Sequence, residues 1–206
     1  AAQAEQTIQS LKASELVNKI YLLVTDKVEE QIEGCEKLLV SSLNSTSAVR
    51  QIAEHSDADY SLVYTKYTTL ELGMFALERM LHIAEDSDAG MVYADHYQVT
   101  GESRNLCPVI DCQPGSLRDD FNFGSVLLYK ADVLKAAVNA MATEYSFAGL
   151  YDLRLKVSQK ASLVHINEYL YSEVEYDTRK SGEKIFDYVD PKNRGVQTEM
   201  EAACTA

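Results

Sequence analysis

Residues 60–73 read YSLVYTKYTTLELG, and residues 73–86 continue as GMFALERMLHIAED. Ser61, Leu62, Val63 and Tyr64 make a short apolar run with the length and composition of a buried strand. The run ends in the polar triplet Thr65-Lys66-Tyr67, and a helical pattern is predicted from Leu72 to Glu85. A strand that closes on polar residues just ahead of a helix is a common place for an α/β protein to keep ligand-binding groups. Thr65 and Tyr67 bring neutral hydroxyls and Lys66 brings a cation, so this triplet neither chelates a metal ion nor takes up a proton readily.

The same alternation extends to both sides. AEQTIQSLKASELVN (residues 4–18) is an amphipathic helical pattern with Ile8 and Leu11 as apolar points. KIYLLVTD (Lys19 to Asp26) is a near-continuous apolar run, as expected of a doubly buried strand, and a second strand is predicted at Lys37 to Ser41. Ser45-Thr46-Ser47 can cap a helix whose inner face is Val49, Ile52 and Ala53. GMVYADHYQV (Gly90 to Val99) is an apolar strand interrupted by Asp95, and Thr100 to Asp120 reads as loop, with Gly101, Pro108, Pro114 and Gly115. A strand and helix follow in FGSVLLYKADVLKAAVNAM, a further helix in YDLRLKVSQKA, and a last strand with period-two apolar residues in SLVHINEYLYSEVE. Strands alternating with helices at this spacing predict a three-layer α/β/α domain over residues 1–175 around a mixed, mostly parallel sheet. Residues 176–206 read as a polar extension, and both ends read as cut, with a further domain expected in the same polypeptide.

Composition narrows the function classes. The formal charge of −13 argues against sequence-independent nucleic-acid binding, which requires clustered Lys and Arg. No apolar run approaches the roughly 20 residues of a membrane span. Cys35, Cys107, Cys112 and Cys204 show neither CxxC pairing nor Cys/His metal spacing, so free thiols and a cytoplasmic location are expected. No GxSxG elbow and no Gly-rich phosphate loop is present.

The order of these segments resembles the family 2 glycosyltransferases of GT-A fold. TIQSLKAS and IYLLVTD match that family's early helix and its strand ending in an Asp; its first strand has no counterpart here. Ala48-Val49-Arg50-Gln51 loosely matches the Ala-Arg-Asn helix. Tyr60 to Tyr67 stands for the strand that ends in the DxD motif, with Thr65 and Tyr67 in place of the aspartates. GLYDLRLKV matches the helix of the catalytic base, and LVHINEYLYSEVE the final strand, so the likeness spans roughly residues 4 to 175.

The resemblance implies a nucleotide-sugar donor and a saccharide acceptor, in bacterial polysaccharide or glycan synthesis, in the cytoplasm or peripheral to the inner face of the membrane. It places Asp26 on the base, and Arg50, Thr65, Lys66, Tyr67 and Asp95 on the donor side. Each has a plainer reading: Asp26 as a helix cap, Lys66 as a solvated lysine, Asp95 as a turn former. Mg²⁺ or Mn²⁺ would ordinarily neutralise the diphosphate, but its usual carboxylate ligands are absent. Gly149 and Leu150 fall on the family's Glu-Asp pair; Asp152 is the remaining acid on that helix, turned about 200° away. Asp119 and Asp120 are further acidic candidates, for a cation, a sugar hydroxyl or a cap. Tyr145, Phe147, Tyr151, Tyr169 and Tyr171 offer rings for sugar stacking or for the core. The two readings are therefore a glycosyltransferase-like domain and a catalytically inert GT-A module that binds a partner domain or glycan.

Overall fold

The computed structural model describes residues 2–25, 32–113, 115, 117–175 and 194–206. Helix α1 (Ala2–Lys12) precedes a parallel pair, β1 (Tyr21–Val24) and β2 (Glu36–Leu39). Then come α2 (Thr46–Glu54), β3 (Tyr60–Tyr64), β4 (Thr69–Leu72), α3 (Ala76–Ser87), β5 (Met91–Thr100) and β6 (Ser103–Cys107). The last elements are β7 (Val126–Lys130), α4 (Ala131–Asn139), α5 (Gly149–Ser158), β8 (Leu163–Glu175) and α6 (Arg194–Thr205).

Six strands form one sheet in the order β3-β7-β5-β8-β4, with β6 also paired to β5. Its two faces carry separate cores. Met91, Tyr93, Leu127 and Tyr129 meet Val49 of α2, Leu134 and Val138 of α4 and Leu153 and Val157 of α5. Val92, Ala94, Val126 and Leu128 on the other face meet Ala76, Met80 and Ala84 of α3. Alternate residues of β5 and β7 thus feed opposite helical layers, giving the expected three-layer α/β/α arrangement. Ser45 caps α2 as the sequence indicates, its hydroxyl accepting the Ala48 N–H at 3.1 Å.

Four expectations change. β1 is not doubly buried: it is partly exposed along its length and pairs with β2 in a two-stranded sheet apart from the six-stranded one. The sheet is mixed but not mostly parallel: β5–β8 is its one parallel pairing, and β3–β7, β5–β7, β5–β6 and β4–β8 are antiparallel. An antiparallel strand covered on both faces is as continuously apolar as a parallel one, so the runs in β5 and β7 do not reveal direction. Helix α3 begins at Ala76 rather than Leu72, because Thr69–Leu72 pairs with Val174–Tyr171 of β8 as β4. Gly73 closes that strand against β8, donating its N–H to the Leu170 carbonyl at 2.7 Å, where a Cβ would press on the same oxygen. The loop-rich stretch also contains β6, whose SRNLC is exposed along nearly its whole length and so carries no apolar alternation.

Edge strand β4 is covered by α1, whose Thr7 hydroxyl accepts the Leu70 N–H at 2.9 Å. Helix α6 packs on α5 through Ala203, and Glu199 accepts the Phe147 and Ala148 N–H groups at 2.7 and 3.2 Å, placing a carboxylate at the α5 N-terminus. Cys35, Cys107 and Cys204 are free thiols, and no helix among the described residues is long and apolar enough to cross a membrane.

Candidate functional site

Strands β3, β5 and β8 run in one direction, and β7 begins beside the end of β3 and the first half of β5. β5 continues past the start of β7 to pair with β6, which leaves a step in the sheet at Asp95 and His96. The register with β8 shifts on either side of Asp95: Ala94 faces Ile166, Asp95 faces Tyr169 and His96 faces Tyr171. Bulges of this kind re-aim side chains and are frequent beside functional sites.

On the α5 face, Asp95 and His165 meet. The His165 Nε2 lies 2.9 Å from Asp95 Oδ1, and its Nδ1 lies 2.7 Å from Asp111 Oδ1. Asp95 also accepts the Val109 N–H at 2.8 Å. His165 and Asp95 side chains are 6% and 2% exposed, whereas Asp111 is 82% exposed, so the cluster opens to solvent through Asp111 alone. Tyr93 stacks on the imidazole at 5.2 Å, and its hydroxyl donates to the Ile110 carbonyl and accepts the Cys112 N–H, both at 2.8 Å. Burial pushes that phenol up to about 12. Residues 109–112 are thereby pinned over the step by two side chains of β5.

On the α3 face, His96 stacks flat on Tyr171 at 5.0 Å and pairs with Glu173 at 3.5 Å. Tyr171 accepts the Ser125 and Val126 N–H groups at 2.8 and 3.3 Å. Gly124, at φ 72°, covers this pair closely, since a Cβ there would strike the Tyr171 hydroxyl. Burial holds His96 below the usual histidine range against the opposing pull of Glu173, and Lys66 lowers it further. The unfolded chain therefore binds more protons than the fold below about pH 6.5, the ordinary histidine value. The stability tied to neutral His96 is complete above that value and is lost as pH falls beneath it. His96→Gln is expected to flatten the decline in urea midpoint between about pH 7.5 and 5.5; an unchanged profile would place the titration elsewhere.

The structure places the sequence candidates as follows. Thr65 extends the β3 ladder by one step, its N–H and hydroxyl both donating to the Ser125 carbonyl at 2.9 and 3.3 Å. Lys66 is exposed and within electrostatic reach of His96, and Tyr67 is 81% exposed. Arg50 donates to Glu144 at 2.8 Å and to the Met141 carbonyl at 3.1 Å, tying α2 to the end of α4. Asp119 and Asp120 are exposed, and Asp120 pairs with Arg118 at 3.1 Å. Asp26 lies outside the described residues. Asp152 is 2% exposed, 3.6 Å from Lys156; burial raises its carboxyl more than the lysine lowers it. Of the aromatic set, Tyr145, Tyr151 and Tyr171 are buried, Tyr169 lies against Tyr97 at 4.9 Å, and Phe147 is 45% exposed.

The residues at the triplet do not fit a divalent cation. The Thr65 hydroxyl is engaged, Lys66 is itself a cation, and Tyr67 points to solvent. No group of three or more His, Cys, Asp or Glu suited to a metal ion occurs among the described residues. Asp95 was legible in the sequence because it breaks an apolar strand. Its partner His165 stands in an alternating strand where a histidine gives no sign of a site, and Asp111 and Glu173 carry no local signal. No protein-family model matches the chain, and no curated protein sequence matches it.

Proposed function

We propose that the chain is a glycosyltransferase-like GT-A module that binds a nucleotide-activated sugar or a glycan without catalysing transfer by that family's metal-assisted route. The observation that carries this reading is the start of α5. The resemblance places the catalytic Glu-Asp pair at Gly149 and Leu150, and Leu150 packs against the core instead. Asp152, the remaining acid of that helix, is buried against Lys156, where it cannot meet an acceptor hydroxyl. Lys66, exposed just after β3, offers a positive charge to a phosphate.

A second reading, turnover with a relocated base, is favoured by the Asp95–His165 pair, in which a buried carboxylate orients an imidazole toward an exposed partner.

Thermal melting with UDP-, GDP- and dTDP-sugars tests both, because a bound ligand raises Tm by mass action. A rise with one donor, equal with and without Mn²⁺ and unaccompanied by sugar release, is the expected result. A rise that requires Mn²⁺ contradicts the account of the triplet. Sugar release favours the second reading, and no rise with any donor or glycan removes both.

A further inference from the structure

Arg154 of α5 is a guanidinium set beside aromatic groups, and it pairs with no acid among the described residues. Its central carbon lies 5.4 Å from the Phe123 ring centroid, and its titratable neighbours are the phenols of Tyr129 and Tyr151. Its Nε is buried with no acceptor, and the hydroxyl of Tyr129, a residue with no exposed surface, is buried with no partner. The acids nearby are engaged or turned outward. Asp152 on the same helix pairs with Lys156, Asp120 pairs with Arg118, and exposed Asp119 acts on Tyr151 without forming an ion pair to Arg154. Tyr151 donates its own hydroxyl to the Leu117 carbonyl at 3.1 Å.

A desolvated charge without a partner costs folding free energy. Arg154 as a whole is only partly buried, so the exposure it keeps lies away from Nε, at the fork end of the guanidinium. That end presents parallel N–H donors matched to two oxygens of one anion.

We propose that Arg154 is the anchor of an oxyanion subsite on the α5 face, taking a carboxylate or a phosphoryl group end-on between Phe123 and Tyr151. The subsite goes beyond the sugar-nucleotide reading and is tested with simple ions, so either can fail alone. The whole chain is melted at constant ionic strength while sodium chloride is replaced stepwise by sodium acetate, phosphate or pyrophosphate. The Arg154 Nε–H resonance of ¹⁵N-labelled protein is followed through the same titrations.

The expected result is a saturable rise in Tm with at least one ion, with the resonance moving along the same curve. The rise should vanish in Arg154→Leu, and the apparent affinity should weaken at least ten-fold in Arg154→Lys, which keeps the charge but loses the fork. A response to acetate alone assigns a carboxylate ligand; a response to phosphate or pyrophosphate alone assigns a phosphoryl ligand. No saturable rise, an unmoved resonance, or an equal rise in Arg154→Leu overturns the subsite. Should Arg154→Leu fail to fold, the Arg154→Lys comparison and the resonance decide.

Discussion

Replacing Gly149 by alanine is expected to lower folding stability by about 3 kcal/mol, the upper part of the range for overpacking a closed contact. Gly149 opens α5 directly against the cap of α2. It donates its N–H to the Asn44 carbonyl at 2.8 Å, and the Thr46 N–H donates to Tyr145 at 2.9 Å alongside. A Cβ on residue 149 would fall on the backbone of Ser45 and Thr46, with the Ser45 oxygen at 2.6 Å. Backbone cannot rotate aside as the end of a long side chain does, and Ser45 is further fixed by its hydroxyl's bond to the Ser42 carbonyl at 2.7 Å. The measurement is urea unfolding, where the midpoint should fall with the slope unchanged. Gly195→Ala in α6 is the control. No atom would meet that Cβ, and helix propensity favours alanine there by up to about 1 kcal/mol.

This contact bears on function more than on stability. Residue 149 is where the resemblance puts the glutamate beside the catalytic aspartate, and a side chain of any kind is excluded there by the α2–α5 seam. Restoring the motif would require α2 and α5 to separate, so its loss is built into the packing of two helices. Leu150 differs, being only partly buried, and a carboxylate at that position is sterically conceivable. The binding reading therefore rests on the geometry of two neighbouring positions, one closed and one apolar.

Alternation of apolar runs and helical faces was enough to read the layers, because each of β5 and β7 feeds two cores and shows it as unbroken hydrophobicity. Strand direction was not legible, since burial on both faces erases the period-two signature that marks a half-solvated antiparallel strand. β4 is too short to show a period of its own, only its last residue, Leu72, falls in the expected helix, and its pairing with β8 is what reveals it. The site divides in the same way. Asp95 is visible as a charge in an apolar strand, and Leu150 as an apolar residue where the likeness calls for an acid. His165, Glu173 and Asp111 are ordinary in their local context, and become a site through the β5–β8 register and a loop held by Tyr93. Long-range pairing of that kind leaves no trace in a single sequence.

Asp95→Ala should be among the most damaging single changes in the domain, at about 3 to 5 kcal/mol, while Asp111→Asn should cost less than about 1 kcal/mol. The two carboxylates hold the same imidazole at nearly equal distances, 2.9 and 2.7 Å, so contact geometry alone would rank them together. Burial separates them. Asp95 is enclosed with His165 and also satisfies the Val109 N–H; its removal strands a buried ring nitrogen and a buried backbone donor. Asp111 stands in water, where hydration replaces most of what the contact supplies. The ring can donate to both only as the imidazolium, because a neutral imidazole carries a single N–H. Asp111→Asn removes a negative charge beside the ring, while its amide oxygen can still accept from Nδ1. Urea unfolding of the two variants gives the ranking, and equal losses would mean that Asp111 is enclosed in solution and the step is closed to ligands. With the expected ranking, Asp111→Asn becomes the variant to carry into donor titrations. It leaves the fold intact while changing the one exposed charge of the cluster, so a change in donor affinity would place the ligand against His165, and an unchanged affinity would assign the Asp95–His165 pair to holding residues 109–112 in place.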